Sequence, residues 1–216
     1  MTTKTTTKDG KHSMKKFLMI AAFIAAPAVL ADGPSYQYLE ASVQIGDLDF
    51  VGFGQSDADG FAYRASFAID DAWYAQIDFL DLGTGGDAMI GSVTQNALSF
   101  GWHNDMFYAR LGYEWIEGPE LFIPAAGSGY LLDLGVRTMV GEGFELSAHY
   151  GMAEGGTGFG SSSYYGVGAA YLFGENMGIT FNYDLRSISD YGEAFIGPGV
   201  DVDADTYGLG FRWNFN

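Results

Sequence analysis

Five arginines and six acidic residues lie at alternate positions of segments whose intervening residues are nearly all apolar. The cations are Arg64, Arg110, Arg137, Arg186 and Arg212, and the acids are Glu40, Asp78, Glu114, Asp133, Glu145 and Asp184. If these positions share one interior, the charges persist there only when paired, because an unpaired buried charge costs several kcal/mol. The near balance of sign favours a network of ion pairs that fills the interior. The alternative is a selective pore lined by the same charges.

Catalytic chemistry has little support in this chain. Only two histidines, His103 and His149, lie beyond residue 31, and histidine is the most common catalytic base. His103 falls in a predicted turn, and His149 follows Ser147 and Glu145, which imitates a catalytic triad in composition. Alternation points Ser147 and His149 the same way into a packed interior, so we interpret His149 as a structural hydrogen-bonding residue. The sequence contains no phosphate-binding loop, histidine-rich metal motif or serine elbow, and we predict a protein that is not an enzyme.

A second acidic group lies near the two ends of the main pattern. Each member occupies the same alternating position as neighbouring residues that are predicted to face outward. The group consists of Asp47, Asp49, Asp201, Asp203 and Asp205. If the first and last strands are neighbours, these carboxylates meet on one outer patch. Hard cations bind clustered oxygen ligands, so we predict weak binding of Ca²⁺ or Mg²⁺ here, bridging to lipopolysaccharide phosphates. The alternative is a solvated acidic rim. No other cofactor is expected.

The elements that must position these residues are β-strands, because apolar and polar residues alternate with a period of two. The fifth segment shows the pattern, with Phe107, Leu111 and Trp115 on one face and Arg110 on the other. The predicted strands are 36–50, 60–69, 73–82, 92–102, 107–116, 130–140, 144–152, 163–173, 178–186 and 202–215. Lysine is absent after residue 31, although a soluble sheet would carry it on its outer face. The pattern predicts an all-β fold: a transmembrane antiparallel up-and-down barrel of ten strands, with eight as the alternative.

Connection lengths predict the orientation of this barrel. Short turns are expected at 70–72, 103–106, 141–143 and 174–177, and longer, acidic loops at 51–59, 83–91, 117–129, 153–162 and 187–201. Outer-membrane barrels keep short turns on the periplasmic side and long loops outside. Trp73, Trp102 and Trp213 would lie near the periplasmic boundary and Trp115 near the outer one, as aromatic girdles do.

The amino terminus has a different composition. Residues 1–13 carry no fold signal and are predicted to be an unstructured extension. Residues 14–31 have a charged start at Lys15 and Lys16, an apolar run and a small-residue end at Ala31, as in a cleaved signal peptide. The apolar run is too short for a membrane helix. Residues 32–216 form the barrel domain. Cleavage would remove all five lysines and a single acid, Asp9, so nucleic acid is a poor partner.

In its start Ser35-Tyr36-Gln37-Tyr38-Leu39-Glu40-Ala41 and its aromatic last strand Tyr207–Phe215, the chain resembles small bacterial outer-membrane β-barrel proteins of the opacity-like, porin-like superfamily. The resemblance implies residence in the outer membrane, contact with its lipid and lipopolysaccharide, and insertion by the barrel-assembly machinery. It names no catalytic residues. We expect a monomer with a charge-plugged lumen and a structural or surface-interaction role. The alternative is a small porin-like channel for solutes or cations.

Overall fold

The computed structural model describes residues 33–52, 54–84, 92–118, 126–155, 160–174, 176–191 and 200–215. The predicted extension 1–13 and the predicted signal peptide 14–31 lie outside the described residues. Within the described part of the chain, no helix has the length and apolar character needed to cross a membrane.

Ten antiparallel strands follow one another around a closed barrel, each paired with its neighbours in sequence. They are β1 (Tyr38–Phe50), β2 (Gly54–Ala68), β3 (Trp73–Thr84), β4 (Ser92–His103), β5 (Phe107–Glu117), β6 (Ala126–Met139), β7 (Phe144–Gly155), β8 (Ser161–Phe173), β9 (Met177–Tyr191) and β10 (Val200–Asn214). Pairing of β1 with β10 closes the barrel, for example at Val43 opposite Leu209. The ten-strand prediction is confirmed, and the eight-strand alternative is wrong.

Alternation of side chains separates an apolar outer face from a charged interior. Leu111 and Leu209 are 65% and 61% exposed, whereas Arg110 and Arg137 are 7% and 5% exposed. Closure leaves no unpaired strand edge, and hydrocarbon tolerates only backbone groups that are bonded within the protein. The outer face can therefore contact lipid while the charges lie inside.

We call the end with the connections β2–β3, β4–β5, β6–β7 and β8–β9 the short-turn end, and the other the long-loop end. The strands run further toward the long-loop end than the sequence predicted. The largest difference is in β2, which begins at Gly54 because pairing with β1 continues to Phe50 opposite Gly54. The predicted loop 51–59 is therefore only a short connection, with Gly52 at a φ of +92°. Asp57 and Asp59, predicted as loop acids, belong to β2.

The polarity of the barrel wall reverses along the strands. In β1, Val43 faces outward and Glu40 inward, but beyond Gly46 the exposed outward residue is Asp49 and the buried inward residue is Leu48. The same change occurs in β10, where Asp203 is exposed and Val202 is 6% exposed. The segment toward the long-loop end thus has a polar outside and an apolar inside, like a soluble protein. We call it the collar, and it marks where the lipid-facing band ends.

Inside the barrel, three tyrosine rings pack directly against glycines on the neighbouring strand. The pairs are Tyr74 over Gly101, Tyr108 over Gly135 and Tyr164 over Gly151. At each of these glycines, a Cβ atom would overlap the tyrosine ring. The absence of a side chain is therefore what lets each ring pack against the wall.

We expect Gly151→Ala to destabilise the barrel by about 1–3 kcal/mol, as overpacking of an interior does. The alanine methyl group would displace the Tyr164 ring, which is also the ring beneath the Arg186 guanidinium. Urea unfolding of the refolded protein in vesicles measures the change. Gly83→Ala is the matched control, because its Cβ atom would approach only the Asp59 carbonyl oxygen at 3.7 Å. Equal effects of both changes would contradict the packing argument.

Candidate functional site: the barrel interior

The charged residue cluster nearest the short-turn end is built around Glu145 of β7. Arg137 donates to both carboxylate oxygens of Glu145, with Nε–Oε1 at 2.8 Å and Nη2–Oε2 at 2.9 Å. Arg212 reaches the same carboxylate through Nη1 at 2.7 Å and binds Glu40 through Nη2 at 2.8 Å. All four side chains are buried. Two guanidinium groups and two carboxylates therefore neutralise one another away from water.

Aromatic rings form the floor beneath this cluster. Tyr36, in the segment before β1, stacks on His103 with 3.8 Å between ring centroids. The Arg137 guanidinium lies 4.9 Å from the centroids of both Tyr36 and Tyr38. Ser66 Oγ donates to the Tyr36 carbonyl at 2.8 Å and fixes the segment. Burial raises the pKa of Tyr36, so its phenol stays neutral beside the arginine. Aromatic rings and the Arg137 guanidinium thus pack together at the short-turn end of the lumen.

A second cluster occupies the middle of the lumen around Asp78 of β3. Its carboxylate accepts from Arg64 Nε and from Arg110 Nη1, each at 2.6 Å. Arg110 also donates to Asp133 Oδ2, from Nη2 at 2.8 Å and Nε at 3.1 Å. Gln76 Nε2 contacts both Asp78 oxygens at 2.9 Å. Charge-assisted bonds of this kind are the strong ones in proteins, and they fix the arginine positions.

The three remaining charged residues of the set lie nearer the long-loop end, on β5 and β9. Arg186 Nη2 donates to Glu114 Oε1 and to Ser162 Oγ, the latter at 2.8 Å. Gln95 Nε2 supports the other Glu114 oxygen at 3.0 Å. The sixth predicted acid, Asp184, accepts from His149 Nε2 at 3.2 Å rather than from an arginine. The structure therefore brings all eleven predicted residues into the lumen, in separate clusters.

Several of these bonds cross the lumen instead of running along the wall. Arg212 of β10 reaches Glu145 of β7, and Arg186 of β9 reaches Glu114 of β5. Neither pair joins neighbouring strands in the barrel. These partners could not be predicted, because alternation fixes which face a residue occupies but not which strand it faces across the barrel.

An apolar layer inside the collar was not predicted. It is a ring in two halves to which every strand contributes. One half is Leu48, Ala58 and Leu82 of β1 to β3, and the other is Ala97, Ile116, Leu131, Ala153, Ile188 and Val202, with the partly buried Tyr164 packed against it. Phe50 and Val93 pack against both halves of this ring. We call these residues the apolar ring. The sequence does contain a signal for the apolar ring, because apolar residues replace polar ones at the inward positions near the long-loop ends of the strands.

A cavity of about 240 Å³ runs along the lumen, and its walls include Arg110 and Arg137 of the charged clusters as well as Leu48 and Ile116 of the apolar ring. The side chains of Arg64 and Asp184 line it and remain 36% and 39% exposed although they lie inside the barrel. Their exposure is therefore to this internal space. A cavity of this size with charged walls has room and partners for several waters.

The five aspartates predicted to bind a cation lie on the outer face of the collar. The register places Asp47 opposite Asp205 and Asp49 opposite Asp203, so the closure that the prediction assumed is correct. Asp57 of β2, also opposite Asp47, extends the row and was missed because it was assigned to a loop. Tyr183 donates its hydroxyl to Asp205 at 3.2 Å. Among the described residues, no three His, Cys, Asp or Glu side chains form a group that could hold a metal ion.

The cation site stays a prediction, with thermal unfolding in detergent as its measurement. Repulsion between facing carboxylates should be relieved by Ca²⁺, which would raise the thermal midpoint by mass action. In Asp49→Asn/Asp203→Asn, which removes one facing pair, the calcium-dependent rise should be smaller. An equal rise in both proteins would leave a solvated acidic rim as the description of this surface.

Comparison with known proteins identifies the family of this barrel. Residues 17–215 match the family described as outer membrane protein beta-barrel domain. The chain belongs to this family. Its members are bacterial outer-membrane barrels with transmembrane strands and are typically non-enzymatic. No curated protein matches the sequence significantly.

Solved structures of outer-membrane barrels resemble this family member in fold. Neisserial surface protein A is 13% identical over 85% of this chain and all of its own, with a TM-score of 0.47. The translocator domain of the autotransporter NalP from Neisseria meningitidis is 12% identical over 95% of this chain and 96% of its own, with a TM-score of 0.45. The NanC porin is 10% identical over 80% of this chain and all of its own, with a TM-score of 0.44.

Proposed function

We propose that this protein is a closed, non-enzymatic barrel that serves a structural or surface-interaction role in the outer membrane. The supporting observation is the set of buried salt bridges that cross the lumen, above all Arg212 with Glu145 and Arg186 with Glu114. A solute that passed would have to separate these partners, which leaves uncompensated buried charge at a cost of about 3–5 kcal/mol per pair.

The interaction surface would be the collar and the connections at the long-loop end. In the predicted orientation these face the outside of the cell, and the collar carries exposed Asp49, Asp59 and Asp81. We further propose that the apolar band contacts outer-membrane lipid and lipopolysaccharide as a monomer. The aromatic last strand, with Phe211 and Trp213 exposed, is the segment we assign to recognition by the barrel-assembly machinery.

A small porin-like channel is the second candidate, and the internal cavity of about 240 Å³ favours it. Charged cavity walls could hold a hydrated ion or a small polar solute on its way through. This candidate requires that both ends of the lumen open, whereas Tyr36 and the apolar ring occupy those ends.

Conductance of the refolded protein in planar bilayers separates the two candidates. The closed barrel predicts no steady open state in molar KCl at moderate voltage, with insertion verified by the heat-modifiable migration of the same sample on gels. A reproducible unitary conductance in verified samples would favour the channel and overturn the proposal.

A further inference from the structure

We propose that the main barrier to ions in this barrel is the apolar ring inside the collar, with Phe50 packed against both of its halves, and that the salt-bridge clusters are the smaller barrier. This inference rests on the proposed closed state and locates the closure within it.

All ten strands contribute to the apolar ring, and Leu48, Leu82 and Ile116 are each only 2% exposed. These three side chains pack against apolar neighbours and line the cavity. At this level the lumen is therefore walled by apolar side chains.

Phe50 joins the two halves of the apolar ring. The buried ring residues form one group from β1 to β3 and one from β4 to β10, and Phe50 packs against both. Its backbone is held on both sides, opposite Val202 of β10 and Gly54 of β2. Val93 also packs against both groups. Removal of either side chain would therefore weaken the contact between the two halves.

The charged clusters differ from the apolar ring in what they offer an ion. Arg64 and Asp184 already face the cavity, so an ion that reached this level would find polar partners in place of its hydration shell. An apolar constriction offers no such partners and excludes ions by dewetting. Of the two layers, the ring thus presents the larger barrier to a charged solute.

The experiment compares conductance of wild type, Phe50→Ser, Val93→Ser and the paired variant Arg137→Gln/Glu145→Gln. We expect wild type and the paired variant to be silent, and both ring variants to pass KCl with at least about tenfold more open events, since a polar side chain rewets the constriction. Phe61→Ser, a phenylalanine change on the lipid-facing side of the same hairpin, is the matched control and should be silent.

A chemical measurement on the same variants gives an independent readout. The chain has no cysteine, so Ser42→Cys introduces a single thiol on the cavity wall. A charged, membrane-impermeant methanethiosulfonate reagent should label it about tenfold faster in the Phe50→Ser or Val93→Ser background than in the otherwise wild-type protein, because wetting opens the ring.

The outcomes separate the two proposals. A silent wild type with a conducting paired variant and silent, unlabelled ring variants would overturn the apolar ring as the barrier, while the closed state would stand. A conducting wild type would overturn the closed state itself. If Phe50→Ser fails to refold, Val93→Ser decides, since it weakens the same bridge by a smaller change in volume.

Discussion

Replacement of Leu209 by arginine should lower the free energy of unfolding by about 2–4 kcal/mol, as a cation on the lipid face near the middle of a membrane barrel does. Leu209 is 61% exposed and lies between Val43 of β1 and Phe181 of β9, both exposed and apolar. The guanidinium would have to enter hydrocarbon or distort the bilayer to reach water. Urea unfolding of the protein refolded in lipid vesicles measures the difference.

Asp203→Arg is the control for depth, since Asp203 has the same outward parity on the same strand but lies in the collar. We expect an effect of about 0–1 kcal/mol there, as for charges near the membrane interface. An equally large loss in both variants would contradict the position assigned to the lipid boundary. No loss in Leu209→Arg would contradict the outward parity of β10.

Removal of the charge of Glu145 should be the most damaging single change inside the barrel, at about 3–5 kcal/mol, because it breaks a buried ion pair from one side. Glu145→Gln keeps the shape of the side chain but leaves Arg137 without a counterion and Arg212 with Glu40 alone. The same vesicle unfolding assay reports the loss. Glu142→Gln is the matched control, an exposed glutamate three residues earlier, and should change stability by less than about 0.5 kcal/mol.

The double variant Arg137→Met/Glu145→Gln restores the charge balance of the cluster, leaving Arg212 paired with Glu40. It should be more stable than Glu145→Gln alone, because removal of both charges leaves no buried guanidinium without a counterion. If the double variant were the less stable of the two, Glu145 would be acting through packing and not through its charge.

The transmembrane part of the fold could be predicted because contact with lipid imposes a simple alternation of apolar and polar residues on each strand. Between the girdles every outward residue must be apolar, so segments such as β5 and the membrane half of β10 gave the correct strands and faces. The same rule failed at the long-loop end. There the outside of the wall meets water, so Asp57 and Asp59 indicated a loop although they continue β2.

The charged interior could be predicted only in part. Parity identified which residues face the lumen, but partner choice depends on how far each strand is offset from the next around the barrel. This offset brings Glu114 of β5 to Arg186 of β9 and leaves Asp184 to His149. The apolar ring was missed for a related reason, since alternation does not show that apolar inward residues of different strands lie at one level of the barrel.

The acidic collar also bears on how the barrel is made. In the predicted orientation the hairpin ends that carry Asp49, Asp57 and Asp203 must cross the hydrocarbon before they reach the far side of the membrane. Each aspartate costs about 2.5–3.5 kcal/mol at the bilayer centre, whereas it costs little once delivered. The collar is thus a kinetic obstacle to spontaneous insertion that leaves no trace in the stability of the finished barrel. Vesicles with thin or defect-rich bilayers should accept the chain faster than thick ones, and a dedicated insertion machine would be needed most for this end of the molecule.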